Sequence, residues 1–270
     1  MKKYFSFLTA ALMVFAACSE KNNPPKPQPI DDEDPQEEEA LITIDGQFSD
    51  WSSAAGVVSS SMVASNAGWM QADNQRVDGV KVMKAVADGN FIYVYYEVDM
   101  SVEYQGGTSW DGSAIPKCFA GPVDIYIDAD GNSETGGINW VWSPIGWEYF
   151  FESGTGVAGE TYDMADGAVY QFTGEDGTDI WAVDPPARED ITFDGMFKSA
   201  GVKEGNIVKV EMSFVRTFLP KITGNKVGIG VEIQSTGWTL HGVLPQVAQT
   251  VGGSLEATAL LELSLPEAAK

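Results

Sequence analysis

Histidine, cysteine and basic residues are scarce in this 270-residue chain, and each scarcity excludes a class of function. The single histidine cannot build a metal site with several imidazole ligands, and two cysteines cannot support a zinc ribbon or a disulfide-rich scaffold. Only 16 basic residues face 39 acidic ones, which gives a formal net charge of −23. Because so negative a chain repels phosphate backbones and anionic lipid, we expect no binding to nucleic acid and no electrostatic binding to a membrane surface.

The N-terminus has the pattern of an export signal. Lys2 and Lys3 precede an uncharged, mostly apolar run from Tyr4 to Ala17, which is shorter than the roughly 20 residues that span a bilayer. The two alanines before Cys18 make this end similar to the lipobox of bacterial lipoproteins, in which the cysteine becomes the lipidated N-terminus. We therefore predict a signal peptide at residues 1–17 and lipidation of Cys18. The alternative is an ordinary signal peptide that contains a cysteine.

Residues 18–39 have the composition of a disordered tether. They contain five prolines, and seven acids follow between Asp31 and Glu39. Proline favours extended polyproline II and like charges repel, so the segment should be stiff and solvated. It resembles the spacer of lipoproteins in Gram-negative glycan-foraging bacteria. That resemblance implies an outer-membrane lipoprotein at the cell surface, held to the membrane by its lipid alone, with glycan-uptake proteins as neighbours. A protein that faces the periplasm is the alternative.

Residues 40–270 are predicted to form a single all-β domain. Short segments with period-two alternation are separated by glycine-rich turns, and Asp88-Gly89-Asn90 links Val80–Val86 to Phe91–Val98 in a predicted hairpin. The other predicted strands are Pro122–Asp128, Ile138–Trp142, Trp147–Phe151, Ala168–Phe172, Ile180–Val183, Val208–Phe214, Val227–Ile233 and Leu255–Leu265. About ten strands without long amphipathic helices predict an antiparallel β-sandwich, layered like a jelly roll or an immunoglobulin domain, with loop insertions.

Three segments of this domain resemble a known family. The segment Ile42–Trp51, which contains Asp45-Gly46 and ends in Asp50-Trp51, is similar to the opening motif of family 9 carbohydrate-binding modules and their DOMON-related relatives. The strands Phe91–Val98 and Val123–Asp128 also fit that family's pattern. The resemblance covers most of residues 41–265. It implies a β-sandwich that binds glycans, in some members with structural calcium.

The loop from Asp128 to Gly137 offers side-chain oxygens at alternate positions, with glycines that let the chain curl. Ca²⁺ takes six to eight oxygen ligands, so this composition suits a structural calcium ion. The predicted ligands are Asp128, Asp130, Asn132 and Glu134. The alternative is a polar hairpin loop without metal. We expect no organic cofactor.

Aromatic side chains are the candidates for a sugar site. Aromatic rings stack on the apolar face of a sugar, while carboxylates and amides bond its hydroxyl groups. The candidates are Trp110 and Trp238 on predicted loops, Trp140, Trp142 and Trp147 around one turn, and Tyr93 and Tyr95, which share one face of their strand. Two alternatives stay open: the tryptophans fill the core, or an insertion such as residues 100–121 covers the tyrosines. Trp51 is expected in the core.

The sequence offers little for catalysis. His241 is the only candidate base, it is expected on a loop or at the surface, and no Gly-x-Ser-x-Gly element accompanies it. Carboxylate pairs are unavoidable in so acidic a chain, so their presence alone carries no weight. We therefore expect a non-catalytic lipoprotein that captures a polysaccharide or oligosaccharide. A structural or adhesive surface lipoprotein and a glycoside hydrolase or lyase are the alternatives.

Overall fold

The computed structural model describes residues 40–69, 76–103, 107–108, 112–115, 120–138, 146–159, 161–246 and 259–268. These residues form two large antiparallel sheets, which confirms the predicted all-β sandwich. The strands are β1 (Val58–Ser61), β2 (Val80–Ala87), β3 (Phe91–Asp99), β4 (Gly107–Thr108), β5 (Ala114–Ile115), β6 (Ala120–Asp128), β7 (Tyr149–Ser153), β8 (Ala168–Phe172), β9 (Arg188–Asp190), β10 (Phe197–Glu204), β11 (Ile207–Val215), β12 (Lys226–Ser235), β13 (Leu240–Leu244) and β14 (Leu261–Ser264). The signal peptide and tether predicted for residues 1–39 lie outside the described residues and stay predictions.

Helical structure is confined to single turns in the described part of the chain. The 3₁₀ helices are Asp50–Ser52, Ala64–Asn66, Gly156–Ala158 and Arg216–Phe218. Among the described residues, no helix combines the length and the apolar character that crossing a membrane requires.

The first sheet has five strands in the order β1-β2-β3-β11-β10. Its β2–β3 hairpin turns at Asp88-Gly89-Asn90, as predicted. The Asp88 side chain closes this turn because its Oδ1 accepts hydrogen bonds from the backbone N–H groups of Asn90 at 2.8 Å and Phe91 at 2.7 Å. β11 runs antiparallel to β3 along nine residue pairs, and both strands lie in the interior of the sheet.

The second sheet follows the order β13-β12-β6-β7-β8-β9, and β14 pairs with β12. The predicted strand at Ala168–Phe172 has the bounds of β8. The predicted strand at Ile180–Val183 is wrong, because these residues lie in turns and bends. β13 was missed because all five of its residues are buried and no alternation marks it. This strand holds His241, which is fully buried rather than on a loop.

The main core lies between the two sheets. β6 contributes Val123, Ile125 and Ile127 to it, and β3 contributes Ile92 and Val94. Successive side chains of a strand point to opposite faces, so Asp124 and Tyr126 of β6 point away from the core. We call that side of the second sheet its outer face. It collects acidic and aromatic side chains from neighbouring strands.

Candidate functional site

Three carboxylates face one another on the outer face of the second sheet. Asp124 on β6 pairs in register with Glu232 on β12 and with Glu152 on β7. The Cβ atoms of directly opposed residues in antiparallel strands lie about 4.5–5.5 Å apart, so like charges at these positions repel strongly. Asp124 and Glu232 are each 3% exposed. We call these three residues the acidic row.

Burial raises the pKa of each member of the acidic row, and repulsion adds to the shift of Asp124. Burial, then the charges of Glu232 and Glu152, raises the pKa of Asp124 well above its usual range. Burial also raises the pKa of Glu232 to about 7, against the opposing effect of a hydrogen bond from Tyr126. The pKa of Glu152 is raised by burial, and Arg188 opposes this shift. Near neutral pH the row therefore offers hydrogen-bond donors as well as acceptors.

One atom of the row has no hydrogen-bond partner. Gln234 Nε2 donates to Asp124 Oδ2 at 2.7 Å. The other oxygen, Asp124 Oδ1, is buried and accepts no hydrogen bond from the described residues. An unsatisfied buried polar group costs about 1–3 kcal/mol, and most such groups in native proteins are satisfied. Asp124 Oδ1 is therefore a position where a donor on a ligand would be favourable.

An arginine held between aromatic rings borders the acidic row. The guanidinium carbon of Arg188 lies 4.0 Å from the ring centroid of Tyr170, 4.5 Å from that of Trp181 and 5.5 Å from that of Phe150. Such cation–π contacts fix the guanidinium and the rings relative to one another. Arg188 Nη1 lies 3.6 Å from Glu152 Oε2, which is an ion pair too long for a hydrogen bond. We call Phe150, Tyr170 and Trp181 the aromatic rim.

Trp181 is the exposed member of the aromatic rim. Its side chain is 54% exposed although it rests on Arg188 and lies 6.5 Å, centroid to centroid, from Phe150. The sequence analysis missed this tryptophan because it assigned Ile180–Val183 to a strand. Pro185 and Pro186, which follow shortly afterwards, were the signal for a loop.

Trp238 is also 54% exposed, and its role as a ligand residue stays a prediction. It lies in the turn between β12 and β13 with a φ of 59°. This left-handed conformation costs a residue other than glycine about 1–2 kcal/mol. A Cβ built on Gly154, directly after β7, would lie 3.8 Å from the Trp238 ring. Trp181 lies near Phe150 and Trp238 lies near Gly154. A strand rises about 13 Å from Phe150 to Gly154, so the two exposed tryptophans lie at well-separated points of one chain segment.

Three of the predicted sugar-binding aromatic residues are buried. Trp147 is 2% exposed and packs edge-on against Tyr126, so it belongs to a core cluster on the outer face. Tyr93 and Tyr95 are 1% and 3% exposed. They point away from the main core as predicted, and the chain around Ile42 and Trp51 covers them. A buried ring has no free face for a sugar, so the prediction that Tyr93 and Tyr95 form an exposed binding platform is wrong. Trp51 lies in this core cluster, as expected.

The remaining predicted ligand residues, Trp110, Trp140 and Trp142, lie outside the described residues and stay predictions.

The predicted calcium loop brings together a partly different set of ligands. Carboxylate oxygens of Asp128, Asp130 and Glu148 all lie within 4.8 Å of one another. Asn132 Oδ1 instead accepts a hydrogen bond from the backbone N–H of Glu134 at 3.2 Å, and the Glu134 carboxylate is exposed and outside the cluster. Sequence reasoning missed Glu148 because it comes from the far side of the hairpin.

Electrostatics around Glu148 suit a divalent cation. Burial raises the pKa of Glu148 to about 7, the hydrogen bond from the Ala129 N–H opposes the shift, and the charges of Asp130 and Asp128 add to it. A bound cation would replace this repulsion by attraction. The all-oxygen donor set fits the ligands that Ca²⁺ prefers.

No family model and no curated protein matches the chain. A family 9 carbohydrate-binding module from Caldicellulosiruptor kristjanssonii in complex with cellotriose is similar to 85% of this chain over 92% of its own, with 12% identity and a TM-score of 0.37. A second structure of such a module from that organism, in complex with glucose, is similar to 85% of this chain over 94% of its own, with 12% identity and a TM-score of 0.35.

Proposed function

We propose that the outer face of the second sheet binds a carbohydrate. One observation carries this proposal: the exposed indole of Trp181 is fixed on Arg188 directly beside a row of buried hydrogen-bonding side chains. An aromatic ring accepts the apolar face of a sugar, and carboxylates and a guanidinium bind its hydroxyl groups. Trp181 would provide the stacking surface, and Arg188, Glu152 and Asp124 would provide the polar contacts.

Trp238 supports a ligand longer than one sugar. Its exposed ring lies against Gly154, which directly follows the end of β7. Glu152 lies between Gly154 and Phe150 of the aromatic rim along this chain segment. A second stacking surface at that distance suits an oligosaccharide or a polysaccharide segment. The exposure of Trp238 also disfavours the structural or adhesive alternative, in which the tryptophans would be core residues.

Replacement of Trp181 by alanine should weaken glycan binding at least fivefold, because loss of a central aromatic contact costs more than about 1 kcal/mol. Retention of the mature chain on a polysaccharide panel, followed by calorimetry on the best ligand, measures this effect. Phe193→Ala is the matched control, since Phe193 is 44% exposed and packs on Phe218 rather than on the rim. Equal affinity of the Trp181→Ala variant and the wild type, or no retention on any glycan, would contradict the proposal. Release of shorter products would favour the hydrolase or lyase.

A lipid anchor at Cys18 would place this site at the outer-membrane surface, where it would hold glycan for neighbouring uptake proteins. The sequence of residues 1–39 supports this location. The Cys18→Ser variant should lose its lipid and leave the membrane fraction, which fractionation and mass measurement of the mature N-terminus can check. A variant that stays in the membrane fraction would exclude anchoring through this residue.

Asp128, Asp130 and Glu148 would hold a structural calcium ion. Excess Ca²⁺ should raise the melting temperature by about 5–10 °C at a hundred times the dissociation constant, because binding to the folded state alone adds about 2.7 kcal/mol. Thermal melting with Ca²⁺ and with a chelator tests this. Asp130→Asn should abolish the shift, whereas Glu134→Gln, in the same loop but outside the cluster, should keep it. Identical melting curves in Ca²⁺ and chelator would refute the site.

A further inference from the structure

We propose that the acidic row selects glycans that carry a cationic nitrogen, the ammonium group of an amino sugar. This inference rests on the carbohydrate-binding function proposed above and specifies its ligand class. It follows from three features of the outer face: the unpaired oxygen of Asp124, the position of the neighbouring cation, and the graded exposure from Trp181 to Asp124.

The first feature is a buried acceptor without a donor. Asp124 is 3% exposed, Gln234 binds its Oδ2, and its Oδ1 accepts no hydrogen bond from the described residues. A neutral hydroxyl could fill this position with one hydrogen bond. An ammonium group brings three donors and a charge, and charge-assisted hydrogen bonds are roughly twice as strong as neutral ones.

The second feature is the position of Arg188. Its Nη1 lies 3.6 Å from Glu152 Oε2, at one end of the row. Asp124 lies one strand further in, between Glu152 and Glu232. Arg188 therefore neutralises the end of the row more than its middle, and the middle has an excess of acidic groups that a cationic ligand would complement.

The third feature is graded exposure. Trp181 is 54% exposed, and the side chains of Arg188 and Glu152 are 20% and 18% exposed. Asp124 is buried. A sugar ring stacked on Trp181 would thus lie at the open end of the row, and a substituent on it would extend towards Asp124. The charge of −19 on residues 40–270, from 12 basic and 31 acidic residues, would attract a polycationic glycan and repel one made of uronic acids.

Charge selection has a thermodynamic signature. The groups that face Asp124 are Glu232, Gln234, Tyr126, Glu152 and Arg188. With no cationic ligand present, burial and repulsion raise the pKa of Asp124, and burial raises that of Glu232, so both bind protons more readily than free carboxylates. An ammonium group would stabilise the ionised carboxylates, so binding should release protons to the buffer, whereas a neutral sugar should release none.

Calorimetry on the mature chain at pH 6 tests the inference with three oligosaccharides of equal length and linkage, built from glucosamine, N-acetylglucosamine and glucose. An amine with a pKa of about 7.7 is already protonated at this pH, so protons released must come from the protein. Titration in two buffers of different ionisation heat counts them. We expect at least tenfold tighter binding of the glucosamine oligomer than of the other two, with net proton release.

The Asp124→Asn variant should bring the three affinities within about threefold of one another, while Glu189→Gln, an exposed acid on β9, should keep the preference. Proton release by the wild type is a second readout if Asp124→Asn does not fold. Equal or tighter binding of a neutral oligomer, or binding without proton release, would overturn the inference and leave carbohydrate binding intact. Failure of all three oligomers and of the polysaccharide panel would overturn both.

Discussion

Replacement of Glu211 by alanine is expected to lower the free energy of unfolding by about 3–5 kcal/mol, as is typical when one partner of a buried polar network is removed. Glu211 lies on β11 and is fully buried. Its Oε1 accepts hydrogen bonds from the backbone N–H groups of Asp45 at 2.8 Å and Gly46 at 2.7 Å. Its Oε2 accepts one from Trp51 Nε1 at 3.0 Å. Alanine would leave all three donors without an acceptor.

These hydrogen bonds hold in place the segment Ile42–Trp51, which covers the five-stranded sheet and is called the cover below. Ile42, Ile44 and Trp51 pack with Tyr93 and Tyr95 in a cluster separate from the main core. The covering chain has no strand before β1, so the described residues do not anchor it through a β-ladder. Loss of the Glu211 carboxylate should therefore loosen the whole cover, with increased exposure of the Trp51 indole.

Urea denaturation, with tryptophan fluorescence as a second signal, measures the loss. Glu211→Gln should cost less than alanine, because its carbonyl oxygen can still accept from Asp45 and Gly46 while its NH₂ group faces the Trp51 N–H. Trp51→Phe removes that N–H, so the double variant should be more stable than the sum of the two single changes predicts. Glu204→Ala, an acid in an exposed ion pair with Lys209, is the control and should change stability little. A Glu211→Ala variant within 1 kcal/mol of the wild type would contradict this anchoring role.

Local alternation explains why the strands could be predicted. β6 shows the reason: Val123, Ile125 and Ile127 share the core face, so the sequence alone places Asp124 on the opposite one. The neighbours of Asp124 could not be predicted in the same way. Glu232 and Glu152 come from distant segments, and only the strand order of the finished sheet brings the three carboxylates into register.

The sequence also does not predict which segment covers an outward-facing side chain. Strand parity correctly turns Tyr93 and Tyr95 away from the main core. Whether they meet solvent depends on where the chain around Trp51 folds back, which is a long-range event. Glu148 illustrates the same limit for the metal cluster, since its distance from Asp130 depends on how the hairpin closes.

Acidification from pH 6.5 to 4 is expected to remove about 3 kcal/mol of stability through His241 alone. The imidazole is fully buried on β13, and neither of its nitrogens has a hydrogen-bond partner among the described residues. Gly79 packs directly against the ring, where a Cβ would collide with it. The site therefore favours a neutral imidazole over a charged one.

The direction of this effect follows from the shift in the folded state. Burial, then the charge of Arg76, lowers the pKa of His241 to about 4, while Asp78 and Asp99 act in the opposite direction. The unfolded chain titrates near pKa 6.5, so it binds the proton first as the pH falls. Stability from this group is therefore complete above pH 6.5 and is lost as the pH falls towards 4, at about 1.4 kcal/mol per pH unit.

Buried acids act in the opposite direction and must be separated from this effect. Because the pKa values of Asp124 and Glu232 are raised in the folded state, these residues bind protons before the unfolded chain does and favour folding as the pH falls. His241→Leu keeps both acids and removes only the titrating imidazole. The difference in unfolding free energy between wild type and variant thus isolates the histidine.

Urea denaturation of both proteins at intervals between pH 7 and pH 4 gives that difference. It should be constant above pH 6.5 and should shift by about 3 kcal/mol in favour of the variant by pH 4. Leucine is the first choice because Gly79 packs directly against the ring and leaves no room for a larger side chain. His241→Gln is a second non-titrating variant. A pH-independent difference would mean that the imidazole takes up its proton without penalty, and a neutral buried His241 would then be excluded.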